Sequence, residues 1–140
     1  MSRDAYLEHL AKVPLFHALK KKDLRRVAKA ADEVTATAGT QLVEQGQTGR
    51  EAFVLVDGTV EVKRNGRKVA TLGAGAVFGE MSLLDHGPRT ASVTCLDDCT
   101  LLVLTQRDFL GVLDEVPEVT HQLLASLAMR VRQLDRQYYG

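Results

Sequence analysis

The stretch Phe78-Gly79-Glu80-Met81-Ser82-Leu83-Leu84-Asp85-His86-Gly87-Pro88-Arg89-Thr90-Ala91-Ser92-Val93 holds the most informative polar spacing in the chain. Gly79 has no Cβ and lets backbone approach a ligand closely, and Met81 to Leu84 fits one helical turn whose free N–H groups face negative charge. Arg89 follows nine residues after Glu80, and its rigid fork of donors matches the paired oxygens of a phosphate. Pro88 fixes its own φ and restricts Gly87, which stiffens the approach to Arg89. The segment is built to hold a small anion.

Glu80 narrows the choice. A carboxylate beside a phosphate repels it unless a hydroxyl lies between them, and an acceptor-only group is suited to take a hydroxyl proton. Gly79, Glu80, Ser82 and Arg89 together suggest a ribose with its phosphate close by, as in a cyclic nucleotide. The run Phe78-Gly79-Glu80-Met81-Ser82-Leu83-Leu84, followed by Pro88-Arg89-Thr90-Ala91-Ser92-Val93, resembles the phosphate-binding cassette of cyclic nucleotide-binding domains. The order of elements over nearly the whole chain is similar to that family, which includes catabolite-activator-type regulators and the regulatory subunits of cAMP-dependent kinase.

The elements around the cassette follow from pattern. From Glu33 to Leu104, turn signals separate short strands: Ala38-Gly39, Gln45-Gly46-Gln47, an Asp57-Gly58 hairpin, an Asn65-Gly66 hairpin and Gly73-Ala74-Gly75. Val60 and Val62 alternate on one face, whereas Phe53-Val54-Leu55-Val56 is continuously apolar. After the cassette, Ala91, Val93 and Cys95 are expected to point inward with Ser92 and Thr94 outward. Thr100 to Leu104 forms the last strand. This rhythm predicts a mainly β fold, a jelly-roll barrel with N-terminal helices and a C-terminal helix pair.

On the N-terminal side, Ala5 to Lys12 and Lys21 to Ala31 read as helices, the second with Leu24, Val27, Ala28 and Ala31 on one face and its cations on the other. On the C-terminal side, Thr105 is placed to cap Gln106 to Glu115, and Pro117 opens a longer helix to about Gln137. Its stripe of Val119, Leu123, Leu127, Val131 and Leu134 has two uses: it covers the barrel, or it pairs with a second copy in a homodimer. The expected organisation is one domain over 1–140, with helices at 1–32, the barrel at 33–104, the cassette at 78–93 and helices at 105–140.

At 140 residues the chain has room for one domain with a real core. Its 18 Lys and Arg balance 18 Asp and Glu, so no global field favours nucleic acid or an anionic membrane. No run is long and apolar enough for a signal peptide or a span, and a cytoplasmic location is the default expectation. Cys95 and Cys99 flank a Leu-Asp-Asp corner and read as buried thiols; His9, His17, His86 and His121 lack metal-ligand spacing. No metal or cofactor is expected. A cupin-type enzyme would need clustered histidines, and no nucleophile–base pair stands out, so the chain is read as not an enzyme. DNA binding by this chain alone is not expected, because no helix-turn-helix follows the long helix.

The resemblance implies residue roles. Phe78, Gly79, Glu80, Met81, Ser82, Arg89, Thr90 and Ala91 are the ligand-binding set. Glu80 accepts the ribose 2′-hydroxyl, Arg89 pairs with the exocyclic oxygens, Gly79 and Ser82 offer N–H groups, and Thr90 and Ala91 line the phosphate and purine side. The implied ligand is cAMP, with cGMP kept open by the Thr90 hydroxyl, and the implied role is a sensor that signals through its flanking helices to an effector domain or partner. Arg130, Gln133 and Leu134, or the Tyr138-Tyr139 tail, are candidates for the lid over the purine. The competing reading is a ligand-free copy of the fold that serves as a dimerisation or interaction scaffold.

Overall fold

The computed structural model describes residues 6–139. Helices α1 (Tyr6–Ala11) and α2 (Lys21–Ala30) precede six strands: β1 (Asp32–Ala36), β2 (Gln41–Val43), β3 (Glu51–Asp57), β4 (Val60–Arg64), β5 (Arg67–Leu72) and β6 (Val77–Phe78). Helix α3 (Glu80–Asp85) interrupts them before β7 (Ser92–Cys95) and β8 (Cys99–Thr105), and α4 (Gln106–Glu115) and α5 (Pro117–Tyr139) complete the chain. Two antiparallel sheets result, ordered β1-β8-β3-β6 and β2-β7-β4-β5. They form a jelly-roll sandwich with flanking helices. The expected jelly roll is thus formed, its described strands divided into two sheets of four rather than closed into one barrel.

Two apolar layers explain the strand patterns. Leu55, Val60, Val93, Cys95, Leu101 and Val103 pack between the sheets, while Val54, Val56, Leu102 and Leu104 face the helices with Leu10, Phe16, Val27, Phe109 and Val112. Strands β3 and β8 are therefore covered on both faces, which is why Phe53–Val56 and Leu101–Leu104 are continuously apolar rather than alternating. Strand β7 has one covered face, and Val93 and Cys95 are buried while Ser92 and Thr94 are half-buried. Helix α2 buries Leu24, Val27 and Ala28, and Thr105 caps α4 by accepting the Asp108 N–H.

Asn65-Gly66 makes the expected hairpin, with both residues at positive φ and Arg64 opposite Arg67. Asp57-Gly58 does not. It carries the chain from β3 in one sheet to β4 in the other, at a corner where a Cβ on Gly58 would lie 2.6 Å from the Asp98 carbonyl oxygen. Thr59 donates its N–H to Asp97 Oδ1 at 2.7 Å across this corner. Beside it, burial pushes the Cys99 thiol up to about 12, with the neighbouring Cys95 thiol acting in the same sense.

Only the first part of the α5 stripe is used to cover the sheets. Val119 and Leu123 are buried in the helix-facing core and Leu127 is packed against it, whereas Val131 and Leu134 are exposed. Among the described residues no helix is long and apolar enough to cross a membrane.

Candidate functional site

The cassette is placed by a left-handed turn. Gly79 sits at φ 84° as the N-cap of α3, a conformation that costs glycine little, so the chain reverses directly from β6 into the helix. Phe78 anchors the entry by stacking on Phe53, with centroids 5.1 Å apart. It is buried between the sheets and also lines the adjoining cavity. His86, also in the left-handed region, ends α3; its Nδ1 lies 2.8 Å from Gln106 Nε2, which also donates to the Leu83 carbonyl. The first residue of α4 thus ties the C-terminal end of α3.

Arg89 is held on every side. Its backbone N–H donates to the Gln47 carbonyl at 2.8 Å and its carbonyl accepts from Gly46 at 2.9 Å. Its Nη1 donates to the Gly79 carbonyl and its Nη2 to the Glu51 carbonyl, both at 2.8 Å. The side chain is therefore pre-organised before any ligand arrives. Burial lowers the Arg89 pKa, with the charges of Glu51 and Glu80 acting in the opposite sense. It remains a cation, and one with little water around it.

Glu80 and Arg89 make no ion pair with one another. Glu80 instead accepts a hydrogen bond at its Oε1 from Arg130 Nη2 of α5, at 3.0 Å. The carboxylate is almost wholly buried, its side chain 8% exposed, while that of Arg130 is 46% exposed. Glu80, Ser82 and Arg89 are the buried polar or charged residues among those described. All three line one cavity of about 420 Å³ with Phe78, Gly79, Thr90, Ala91 and Arg130. Val43, Val62, Leu72 and Val93 supply its apolar wall. A charged, hydrogen-bonding end and a largely apolar remainder suit a ligand that is ionic at one end and apolar at the other.

Seven of the eight expected site residues thus meet in one cavity. The eighth, Met81, lies within α3, and its side chain is outside those described. The lid candidates separate: Arg130 reaches Glu80, Gln133 lines a neighbouring groove, and Leu134 is exposed. The side chains of Tyr138 and Tyr139 lie outside those described. Among the described residues no cluster of three His, Cys, Asp or Glu is placed to hold a metal ion.

Three contributors escaped the sequence reading. Glu51 acts through its carbonyl, which any residue type supplies, so no side-chain signal marks it. Gly49 packs against the cassette so closely that a Cβ there would lie 2.5 Å from Arg89 Cζ and 2.7 Å from Ser82 Cβ. Its signal was a second glycine three residues after Gly46, in a loop bridged through Thr48 to Pro88. Arg64, at the end of β4, lines the cavity where strand alternation would place an apolar residue.

Comparison with known proteins agrees with this geometry. The profile of the family described as cyclic nucleotide-binding domain matches residues 33–116. The chain is 35% identical over 127 residues to the cyclic AMP receptor protein of Thermus thermophilus, an alignment covering 87% of this chain and 59% of that protein. It is 30% identical over 131 residues to the cGMP-dependent protein kinase egl-4 of Caenorhabditis elegans, covering 94% of this chain and 16% of the kinase. Among solved structures, the Thermus thermophilus catabolite activator protein superposes with a TM-score of 0.83 at 36% identity, over 89% of this chain and 61% of that one. The chain spans less than two thirds of each of these proteins. With its profile matched over more than half its length and a jelly-roll sandwich around the cassette, the chain belongs to the cyclic nucleotide-binding domain family.

Proposed function

We propose that this chain is a cyclic nucleotide sensor with cAMP as the favoured ligand and cGMP as the alternative, and that it relays binding through its flanking helices. The observation that carries the reading is the burial of Glu80, Ser82 and Arg89 against one cavity that is otherwise largely apolar. Burying a carboxylate and a guanidinium that are not paired with each other is unfavourable unless a ligand, or a partner such as Arg130, uses them. A cyclic phosphate at Arg89 and a ribose hydroxyl at Glu80 meet both demands with one molecule. The name of the Thermus relative favours cAMP, and the name of the kinase keeps cGMP in play.

The relay follows from Arg130. A ribose hydroxyl that donates to Glu80 shares an acceptor with Arg130, so occupancy of the cavity and the position of α5 are linked. The Gln106 bonds to Leu83 and His86 link α4 to the cassette in the same way. The exposed distal half of α5, with Val131 and Leu134, supports pairing with a second copy as the partner interaction. The effector that reads this movement is a further domain or a separate protein.

Thermal melts with cAMP, cGMP and AMP test the reading, because a ligand that binds the folded state raises its melting temperature by mass action. The expected result is a shift with a cyclic nucleotide that exceeds the shift with AMP. No shift at millimolar concentration would favour the ligand-free scaffold.

A further inference from the structure

Strand β4 presents Val60 and Val62 towards the space between the sheets, and Arg64 is the next residue on that face. The register against β7 pairs Val60 with Cys95 and Val62 with Val93, which brings Arg64 beside Ala91 and Thr90. The irregularity in β4–β5 pairing leaves the extra residue on β5, between Lys68 and Ala70, so the alternation of β4 is undisturbed. An arginine therefore stands where the pattern calls for an apolar side chain, on the wall of the ligand cavity.

Its side chain is tethered to the cassette at one point. Arg64 Nε donates to the Thr90 carbonyl at 3.2 Å, and the adjoining hairpin tip is pinned by a two-way exchange in which Gln45 Nε2 donates to Asn65 Oδ1 at 2.9 Å and the Asn65 N–H donates to Gln45 Oε1 at 2.8 Å. Among the described residues no hydrogen bond or ion pair occupies its two terminal nitrogens. Arg89, buried, and Arg64, exposed, line the same cavity, so a nucleotide anchored by its phosphate at Arg89 has room to extend its base towards Arg64.

We propose that Arg64 reads the outer edge of the ligand's base and favours an edge made only of acceptors over one that carries an amino group. The inference rests on the cyclic nucleotide reading above. A guanidinium has donors and no acceptor, so it matches the O6 and N7 of a 6-oxopurine, whereas adenine offers the N6 amino group beside N7. Arg64 thereby gives a 6-oxo nucleotide its foothold in the cavity. Glutamine, with both a donor and an acceptor, matches the adenine edge.

Calorimetric titrations of the parent, Arg64→Ala and Arg64→Gln with cAMP, cIMP and cGMP test this. cIMP has the 6-oxo group without the 2-amino group of cGMP, so it separates Arg64 from any contact the base makes through Thr90. The ratio of the cIMP to the cAMP dissociation constant is expected to rise about fivefold in Arg64→Ala, the low end for an arginine–base contact at an exposed site, and further in Arg64→Gln. An unchanged ratio with all three nucleotides still bound would overturn this proposal alone. Equal weakening of all three in the variants would make Arg64 a general attractor of the phosphate and would overturn it too. Failure of the folded parent to bind any of them would overturn the cyclic nucleotide reading and, with it, this one.

Discussion

Removing either partner of the Glu80–Arg130 pair should have unequal effects, because the two charges differ in exposure. In Arg130→Met the aliphatic stem and the helix propensity are largely kept, but the Glu80 carboxylate, 8% exposed, loses a charged donor. An abandoned, fully buried charge costs about 3–5 kcal/mol. The pair lies at the edge of a cavity and Arg130 is half-exposed, so water reaches the vacated position and the expected loss is about 1–2 kcal/mol. That corresponds to a fall of about 3–8 °C in melting temperature for a domain of this size. In Glu80→Gln the amide still accepts a hydrogen bond from Arg130, whose guanidinium is already partly solvated, so the loss is about 0.5 kcal/mol or less. Melts of both variants without ligand measure the difference. Equal losses, or a larger loss in Glu80→Gln, would refute the claim that Glu80 is the buried partner whose charge α5 must answer.

Two other perturbations probe the supports of the site. Gly49→Ala places a methyl group 2.5 Å from Arg89 Cζ, which must move with Ser82; stability should fall by about 1–3 kcal/mol and cyclic nucleotide affinity should fall with it, as melts and titration would show. The Arg26 guanidinium, by its hydrogen bond, holds the Glu115 carboxyl below the usual carboxylate range. A depressed folded pKa adds stability that is present above the ordinary carboxylate pKa and is lost as pH falls through the folded value. The melting temperature of Glu115→Gln should therefore lie slightly below the parent's at pH 7 and converge with it as pH falls through the lowered folded value.

The cassette was legible because its constraints are local. Gly79, Glu80, Ser82 and Arg89 lie within a dozen residues, and each has a side chain, or lacks one, for a reason that spacing reveals. The clamp on Arg89 was not legible, since it is made of the Gly79 and Glu51 carbonyls and the closeness of Gly49, none of which has a side-chain signature. Asp57-Gly58 shows a second limit: turn residues announce a reversal, and whether the next strand returns to the same sheet depends on the distant corner at Asp97 and Asp98. The α5 stripe read as continuous, yet its burial ends near Leu127, and beyond it Val131 and Leu134 are exposed while Arg130 on another face reaches the cassette. Arg130 was read as a lid towards the purine, and its bond to Glu80 depends on the angle at which α5 crosses the cassette, which the periodicity of the helix does not specify.

The central claim is that Arg89 and Glu80 bind one cyclic nucleotide per chain. Calorimetric titration of cAMP into the parent and Arg89→Ala tests it most directly. The account predicts a single site in the parent and a loss of at least about thirtyfold in affinity in the variant, the effect of removing one member of a desolvated charge pair. Equal binding by the two proteins, or no binding by a folded parent at millimolar cAMP, would contradict it.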